Sequence, residues 1–170
     1  MRKLSIFILI GVLCFSTLPF VPFTHAAQAA PAVEWSRTYG GAFSDPFEGL
    51  PYLIVETADG GYAIAGCTDM RNFWLIRTDG SGDIQWNRSY GGVGGESLWS
   101  FVQTNDGGYV LAGSGLLVKT DSNGNMQWNR TYPQSDVRSA IQTNDGGYAL
   151  ACIVSGAGND GALIKTDTQG

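Results

Sequence analysis

Few residues of this chain have the types and spacing that catalytic or metal sites use. Its single histidine, His25, lies at the edge of an N-terminal apolar segment that we expect to be removed. Catalysis by Ser-His-Asp or Cys-His groups needs an imidazole base, and most zinc sites need one as a ligand. The glutamates are scattered, with no acid–base pair standing out. We therefore predict a non-enzyme with no catalytic residue, no cofactor and no metal.

Two loops carry oxygen-bearing side chains at every second position, as calcium loops do. They are Asp79-Ser81-Asp83 and Asp121-Asn123-Asn125. A calcium loop has glycine at its sixth position, where Ile84 and Met126 stand here, and a glutamate at its end. Calcium is thus the weaker interpretation. We expect these side chains to bond to their own backbone and stabilise turns.

Asn87 and Asn129 begin Asn-Arg-Ser and Asn-Arg-Thr, which are acceptor sequences for N-glycosylation in an exported protein. The same position of the first repeat has Ser36, so recurrence of the repeat explains the pattern equally well. Both asparagines are kept as glycosylation candidates for an archaeal or eukaryotic host. Two cysteines, Cys67 and Cys152, remain after export; their offset within the repeat predicts opposite strand faces and two buried free thiols.

An internal repeat organises the chain from residue 33 onward. Copies begin at Trp35, Trp86 and Trp128. Each contains an Asp-Gly-Gly-Tyr turn, an apolar run and a basic-Thr-Asp end. The turn glycines, which we predict to have positive φ, are Gly60, Gly107 and Gly146. A period of about 40 to 50 residues indicates a stacked or radial repeat architecture. The tryptophans recur at one repeat position, so we expect each to pack against a neighbouring unit; the unrepeated Trp74 and Trp99 are weak candidates for a binding surface.

The middle copy predicts four antiparallel strands, because its apolar runs are separated by turns rich in Gly, Asn and Asp. We place them at Ser97–Thr104, Tyr109–Gly113, Leu116–Thr120 and Met126–Tyr132. The continuous apolar residues of Tyr109–Ala112 and Tyr148–Cys152 predict burial on both strand faces. Four-stranded sheets buried on both faces are typical of β-propeller blades, whereas a sandwich or open solenoid would not explain four turns per period.

The N-terminus has the basic, apolar and small-residue order of a secretory signal peptide, which we place at residues 1–29, with the repeat domain at 30–170. The alternative is an uncleaved membrane anchor. The chain is acidic, with a net charge of −5, and loss of Arg2 and Lys3 makes it more so. An acidic surface repels phosphates and argues against nucleic acid as a partner. We expect a secreted or cell-envelope location.

The pattern D-x-x-G-x-x-x-W occurs at Asp79–Trp86 and at Asp121–Trp128. It resembles the tryptophan-docking motif of quinoprotein-like (PQQ-type) propellers. The wider repeat also resembles uncharacterised secreted proteins of archaea and bacteria, over Val33 to Gly170. The resemblance implies an all-β propeller of about three four-stranded blades. It implies no particular activity, because propellers have many unrelated functions.

Ring closure is the remaining prediction about the fold. Val33–Tyr39 has the sequence of a fourth strand without its own sheet, and the third repeat lacks that strand after Lys165-Thr166-Asp167. Three blades in a closed ring would lie about 120° apart, and three is below the usual number of four to eight blades. We therefore expect an incomplete ring, which further repeats or self-association of two chains would close.

For function, the sequence favours an exported or cell-surface scaffold that binds a protein or glycan. One alternative is a fragment of a quinoprotein-like dehydrogenase. Another is an envelope-assembly factor that pairs partner strands with a sheet edge.

Overall fold

The computed structural model describes residues 32–39, 51–68, 72–91, 95–133, 135–156 and 160–170. The chain divides into two compact units, Met1–Val33 and Glu34–Gly170. The predicted signal peptide lies outside the described residues. The described residues of the second unit form strands and turns and contain no helix.

In the described part of the chain, eleven strands form three antiparallel sheets in chain order. The first sheet has β1 (Pro51–Glu56), β2 (Tyr62–Cys67), β3 (Phe73–Thr78) and β4 (Ile84–Tyr90). The middle sheet has β5 (Ser100–Gln103), β6 (Tyr109–Gly113), β7 (Leu116–Thr120) and β8 (Met126–Thr131). The third has β9 (Ser135–Gln142), β10 (Tyr148–Val154) and β11 (Asp160–Thr166). The all-β prediction and the strand pattern of the middle repeat are confirmed.

The first predicted strand of the middle repeat is too long, since β5 begins at Ser100 rather than Ser97. The preceding residues direct their N–H groups elsewhere. Ser97 N donates to Ser114 Oγ at 2.8 Å, and Leu98 N donates to Cys67 Sγ at 3.2 Å. The first bond ties the segment to the turn between β6 and β7, and the second ties it to the first sheet.

The Asp-Gly-Gly turn closes the first hairpin of each sheet in the same way. In the middle sheet, Thr104 N donates to Gly108 O at 2.9 Å and Gly107 N donates to Thr104 O at 2.8 Å. The predicted turn glycines Gly60, Gly107 and Gly146 have φ of 79°, 78° and 82°. An L side chain is strained at such φ values, so local turn chemistry accounts for glycine here.

The sheets pack face to face in chain order through two apolar clusters. In one, Phe73 and Leu75 of the first sheet meet Tyr109, Leu111 and Val118 of the middle sheet. In the other, the middle sheet presents its opposite face, with Val110, Ala112 and Leu117, to Tyr148 and Leu150 of the third. All five residues of β6 are buried. The prediction of burial on both faces is therefore confirmed for Tyr109–Ala112.

The same prediction is wrong for Tyr148–Cys152. Tyr148, Leu150 and Cys152 face the middle sheet and are buried, but Ala151 points the other way and is exposed. Within the described residues no sheet covers that face. Leu163 and Ile141, at 79% and 58% exposure, are also open there.

The segment predicted as an N-terminal strand, Val33–Tyr39, forms no strand in this structure. Trp35 instead packs against Tyr62 of the first sheet, with ring centroids 5.8 Å apart. Tyr39 Oη donates to Gly82 O at 2.7 Å. No described residue of this segment pairs with the third sheet, so the described residues do not form a closed ring.

Candidate binding grooves between the sheets

A polar cluster recurs at one end of each sheet, where the Asp-Gly-Gly turn meets the basic-Thr-Asp strand end. In the middle sheet, Lys119 Nζ lies 2.8 Å from Asp106 Oδ2 and donates to Thr120 O at 2.7 Å. Thr104 Oγ1 donates to Asp106 Oδ1 at 2.5 Å. Arg77 with Asp59, and Lys165 with Asp145, form the same ion pair in the other two sheets.

Neighbouring sheets give these equivalent cations different surroundings. The Lys119 side chain is 4% exposed because the third sheet covers it, whereas Lys165 is 47% exposed. Burial alone would raise the pKa of Asp106. Hydrogen bonds from Lys119, Thr104 and the Gly108 N–H outweigh burial and lower that pKa to about 2. Asp106 is thus a fixed anion at neutral pH that balances a buried cation.

Each repeat tryptophan lies against the sheet that follows it. Trp86 on β4 meets the Tyr109 ring edge-on at 6.2 Å, and Trp128 on β8 meets Tyr148 at 5.6 Å. A Cβ on Gly124 would lie 2.6 Å from the Trp86 ring, so only glycine leaves room for the indole. Gly82 faces Trp35 and Gly170 faces Trp128 in the same manner. The repeat tryptophan that precedes each D-x-x-G glycine in the chain therefore packs directly against that glycine.

Two equivalent grooves lie along these junctions. The groove between the first and middle sheets has a volume of about 390 Å³, and that between the middle and third sheets about 670 Å³. Both are lined by an acid–base pair, an aromatic pair and two glutamines at equivalent repeat positions. The smaller contains Asp59, Arg77, Trp86, Tyr109, Gln85 and Gln103, and the larger Asp106, Lys119, Trp128, Tyr148, Gln127 and Gln142.

The glutamines of the larger groove are held in position by the fold. Gln127 Oε1 accepts a hydrogen bond from Lys119 Nζ at 3.0 Å. Gln142 Oε1 accepts one from Asn105 N at 2.8 Å. Sequence reasoning missed these residues, although their recurrence as Gln85/Gln127 and Gln103/Gln142 was readable from the repeat.

Of the remaining sequence candidates, Asn123 lines the smaller groove and the others lie apart from both grooves. Asn87 and Asn129 are exposed on β4 and β8, and nothing in the structure tests their glycosylation. Asp79 Oδ1 and Asp121 Oδ1 accept hydrogen bonds from backbone N–H groups of their own turns at 2.8–2.9 Å. Among the described residues, no cluster of acidic, Cys or His side chains could hold a metal ion.

The cysteines and the unrepeated tryptophans have separate environments. Cys152 is buried and Cys67 only half-buried, which corrects the prediction of two buried thiols; both are free. Cys67 ends the inner strand β2, where the Tyr52 hydroxyl and the segment around Leu98 contact its sulfur. Trp74 is half-buried, whereas Trp99 is 41% exposed and Arg138 stacks on it at 4.5 Å.

In the part of the chain that the structure describes, no helix is long and apolar enough to cross a membrane.

No protein-family model and no curated protein match this sequence. Among solved structures, the chain is similar to a protein of unknown function from Bacteroides caccae, determined at 1.35 Å resolution. The two share 17% sequence identity with a TM-score of 0.49, over 65% of this chain and 38% of that one. The chain therefore spans well under half of that protein. The comparisons assign neither a quinoprotein-like nor a propeller family.

Proposed function

We propose that the chain is an exported, non-enzymatic scaffold of β-propeller type that binds a glycan in the grooves between its sheets. The propeller interpretation is supported by three antiparallel sheets that pack in chain order through equivalent faces. The docking of each repeat tryptophan on the following sheet supports it further.

The observation that carries the glycan proposal is the repetition of one groove chemistry at two successive junctions. Amide, carboxylate and ammonium groups stand beside aromatic edges in both grooves. Such side chains donate to and accept from hydroxyl groups, and the aromatic rings supply apolar contact for the faces of sugar rings. Equivalent grooves at successive sheets suit a ligand that itself repeats. Because the chain has a net charge of −5, a neutral or amino-sugar polymer is favoured over an acidic one.

The polar residues of the grooves suit binding better than catalysis. A general acid needs a pKa near the working pH, and that of Asp106 is lowered to about 2. Its carboxylate is already engaged by Lys119 and Thr104. These bonds fix the shape of the groove and leave the surrounding amides to contact a ligand.

The test is titration calorimetry of the purified chain with a panel of soluble neutral, amino-sugar and acidic polysaccharides. We expect a neutral or amino-sugar polymer to bind. The double variant Gln127→Ala/Gln142→Ala should weaken binding about tenfold, equivalent to about 1.4 kcal/mol. Ser139→Ala, at an exposed position of β9 outside the groove, is the matched control and should bind as the parent does.

Two results would overturn the proposal: no binding by any polymer, or equal binding by the double variant and the control. Chromatography of the recovered polymer tests the non-enzymatic part, because a shortened polymer would identify a hydrolase instead. Dye-linked alcohol oxidation after addition of pyrroloquinoline quinone and calcium would favour the dehydrogenase alternative. Recovery in the cytoplasm would contradict export.

A further inference from the structure

The outer face of the third sheet has apolar residues at the same repeat positions as the face of the middle sheet that the third sheet buries. Leu163 occupies the repeat position of Leu117, yet Leu117 is fully buried and Leu163 is 79% exposed. Ala151 is exposed where its equivalent, Ala112, is fully buried. Exposure of contiguous apolar groups at positions that pack sheet against sheet marks an interaction surface.

The third sheet also has an open edge in the described part of the chain. In the first and middle sheets, the third strand pairs with a fourth that carries the repeat tryptophan. In the middle sheet this pairing sets Lys119 opposite Trp128 and Leu117 opposite Arg130. Among the residues that the structure describes, the equivalent strand, β11, pairs with β10 alone. Its outward backbone groups are free to pair with another strand.

Residues 34–39 lie where a preceding sheet would place its fourth strand. Trp35 contacts Tyr62 and faces Gly82, as Trp86 contacts Tyr109 and faces Gly124. Tyr39 Oη donates to Gly82 O at 2.7 Å, as Tyr90 Oη donates to Gly124 O at 2.6 Å. The segment thus makes the contacts of a fourth strand with the following sheet, while no strand of the described residues pairs with it.

We propose that two copies of this chain complete each other. The Trp35 segment of each copy pairs with β11 of the other and becomes the fourth strand of the other's third sheet. The first sheet of each copy then covers the exposed face around Leu163. The two junctions are identical and have the geometry of the junctions within the chain.

The register follows from the middle sheet. By equivalence with Lys119 opposite Trp128, Trp35 of one copy lies opposite Lys165 of the other. Arg37 lies opposite Leu163, as Arg130 lies opposite Leu117. The completed junction buries Lys165 as Lys119 is buried and removes the open edge of β11.

The number of copies follows from the way sheets fan around an axis. Three sheets closing on themselves would be about 120° apart, too wide for side chains to meet, whereas six fall within the usual four to eight. In the proposed pair, two copies of the three described sheets bring six sheets into one ring. The inference rests on the propeller-type arrangement proposed above and is independent of glycan binding.

The decisive test mixes two singly substituted full-length chains, Arg37→Cys and Leu163→Cys. Under mild oxidation with diamide, the mixture should give a covalent dimer on non-reducing gels. Neither chain alone should do so, because in the proposed register the new cysteine faces an unsubstituted position. Ser36→Cys mixed with Leu163→Cys is the matched control: adjacent strand residues point to opposite faces, so it should not cross-link. Cys14, Cys67 and Cys152 are present in every full-length sample and supply the background.

A dimer band in the control equal to that in the Arg37→Cys mixture would overturn the register. Absence of a dimer from every mixture would overturn the proposal. A chain carrying both substitutions tests whether the ring closes within one copy instead. An intrachain disulfide with no dimer would mean that the three sheets close on themselves.

Sedimentation tests the exposed face separately. The parent chain should sediment as a dimer and Leu163→Glu as a monomer of half that mass, since the new carboxylate would lie in the junction. Met126→Glu is the control, because Met126 is 53% exposed on β8 of the middle sheet, both faces of which already pack within one copy, and this variant should remain dimeric. Circular dichroism confirms that each variant is folded. A monomeric parent, or a Leu163→Glu dimer, contradicts the proposal.

Discussion

Adjacent glycines of the Asp-Gly-Gly turn should respond very differently to the same substitution, because one is constrained by φ and the other by space. Gly107 has φ of 78°, and a Cβ added there would meet only Ser122 Cβ, at 3.7 Å. Gly108 has an ordinary φ, but its Cβ would overlap the Thr120 carbonyl oxygen and lie 2.7 Å from Lys119 Nζ.

The expected magnitudes follow from these geometries. For Gly107→Ala, the left-handed conformation costs about 1–2 kcal/mol, and the stiffer unfolded chain offsets about 0.4–1 kcal/mol of it. The net loss is about 1 kcal/mol. For Gly108→Ala, overpacking costs about 1–3 kcal/mol, and displacing the buried Lys119 from its hydrogen bonds adds about 1–3 kcal/mol. These costs add to about 2–6 kcal/mol before the same offset, or about 4 kcal/mol at the centre of the range, against about 1.5 kcal/mol for Gly107→Ala. A difference of about 2.5 kcal/mol corresponds to about 5–10 °C in melting temperature.

Thermal melts of the purified chain, followed by tryptophan fluorescence and circular dichroism, measure both variants. Gly60→Ala is the matched control for φ strain alone, because Gly60 has φ of 79° and nothing lies within 4 Å of its added Cβ. It should behave as Gly107→Ala does. If Gly108→Ala melts at or above the temperature of Gly107→Ala, the close packing of the turn against β7 is wrong.

Two further predictions concern side chains of the repeat. Because the pKa of Asp106 is lowered to about 2, against about 4 in an unfolded chain, its contribution to stability should be present above about pH 4 and be lost as the pH falls towards about 2. In denaturant titrations at successive pH values, the free energy of unfolding of Asp106→Asn should fall less on acidification than that of the parent chain. An equally steep fall would contradict the ion pair with Lys119. Tyr90 Oη donates to Gly124 O at 2.6 Å, whereas Tyr132 Oη is buried without a partner among the described residues. Tyr90→Phe should therefore lower the free energy of unfolding by about 1 kcal/mol, whereas Tyr132→Phe should leave it unchanged or raise it. If thermal melts show equal losses for the two variants, the hydrogen bond of the Tyr90 hydroxyl does not stabilise the fold.

The amino-acid sequence by itself determined the repeat, the all-β class and most strand positions. It did so because turns are local: an Asp-Gly-Gly segment favours the conformation that reverses the chain, whatever lies beyond it. The predicted bounds Tyr109–Gly113 and Leu116–Thr120 are those of β6 and β7. The strand that was misjudged, β5, has nonlocal bonds from Ser97 and Leu98 at its start.

The tertiary structure alone decided which faces are covered. Leu117 and Leu163 have the same repeat position and the same strand pattern, but one is buried and the other is 79% exposed. The side chains of Lys119 and Lys165 differ in the same way, with exposed fractions of 4% and 47%. The direction in which Trp35 packs was equally invisible in the sequence, since its repeat position allows contact with either flanking sheet. Burial is set by the neighbouring sheet, and a local pattern of residues does not specify whether that neighbour is present.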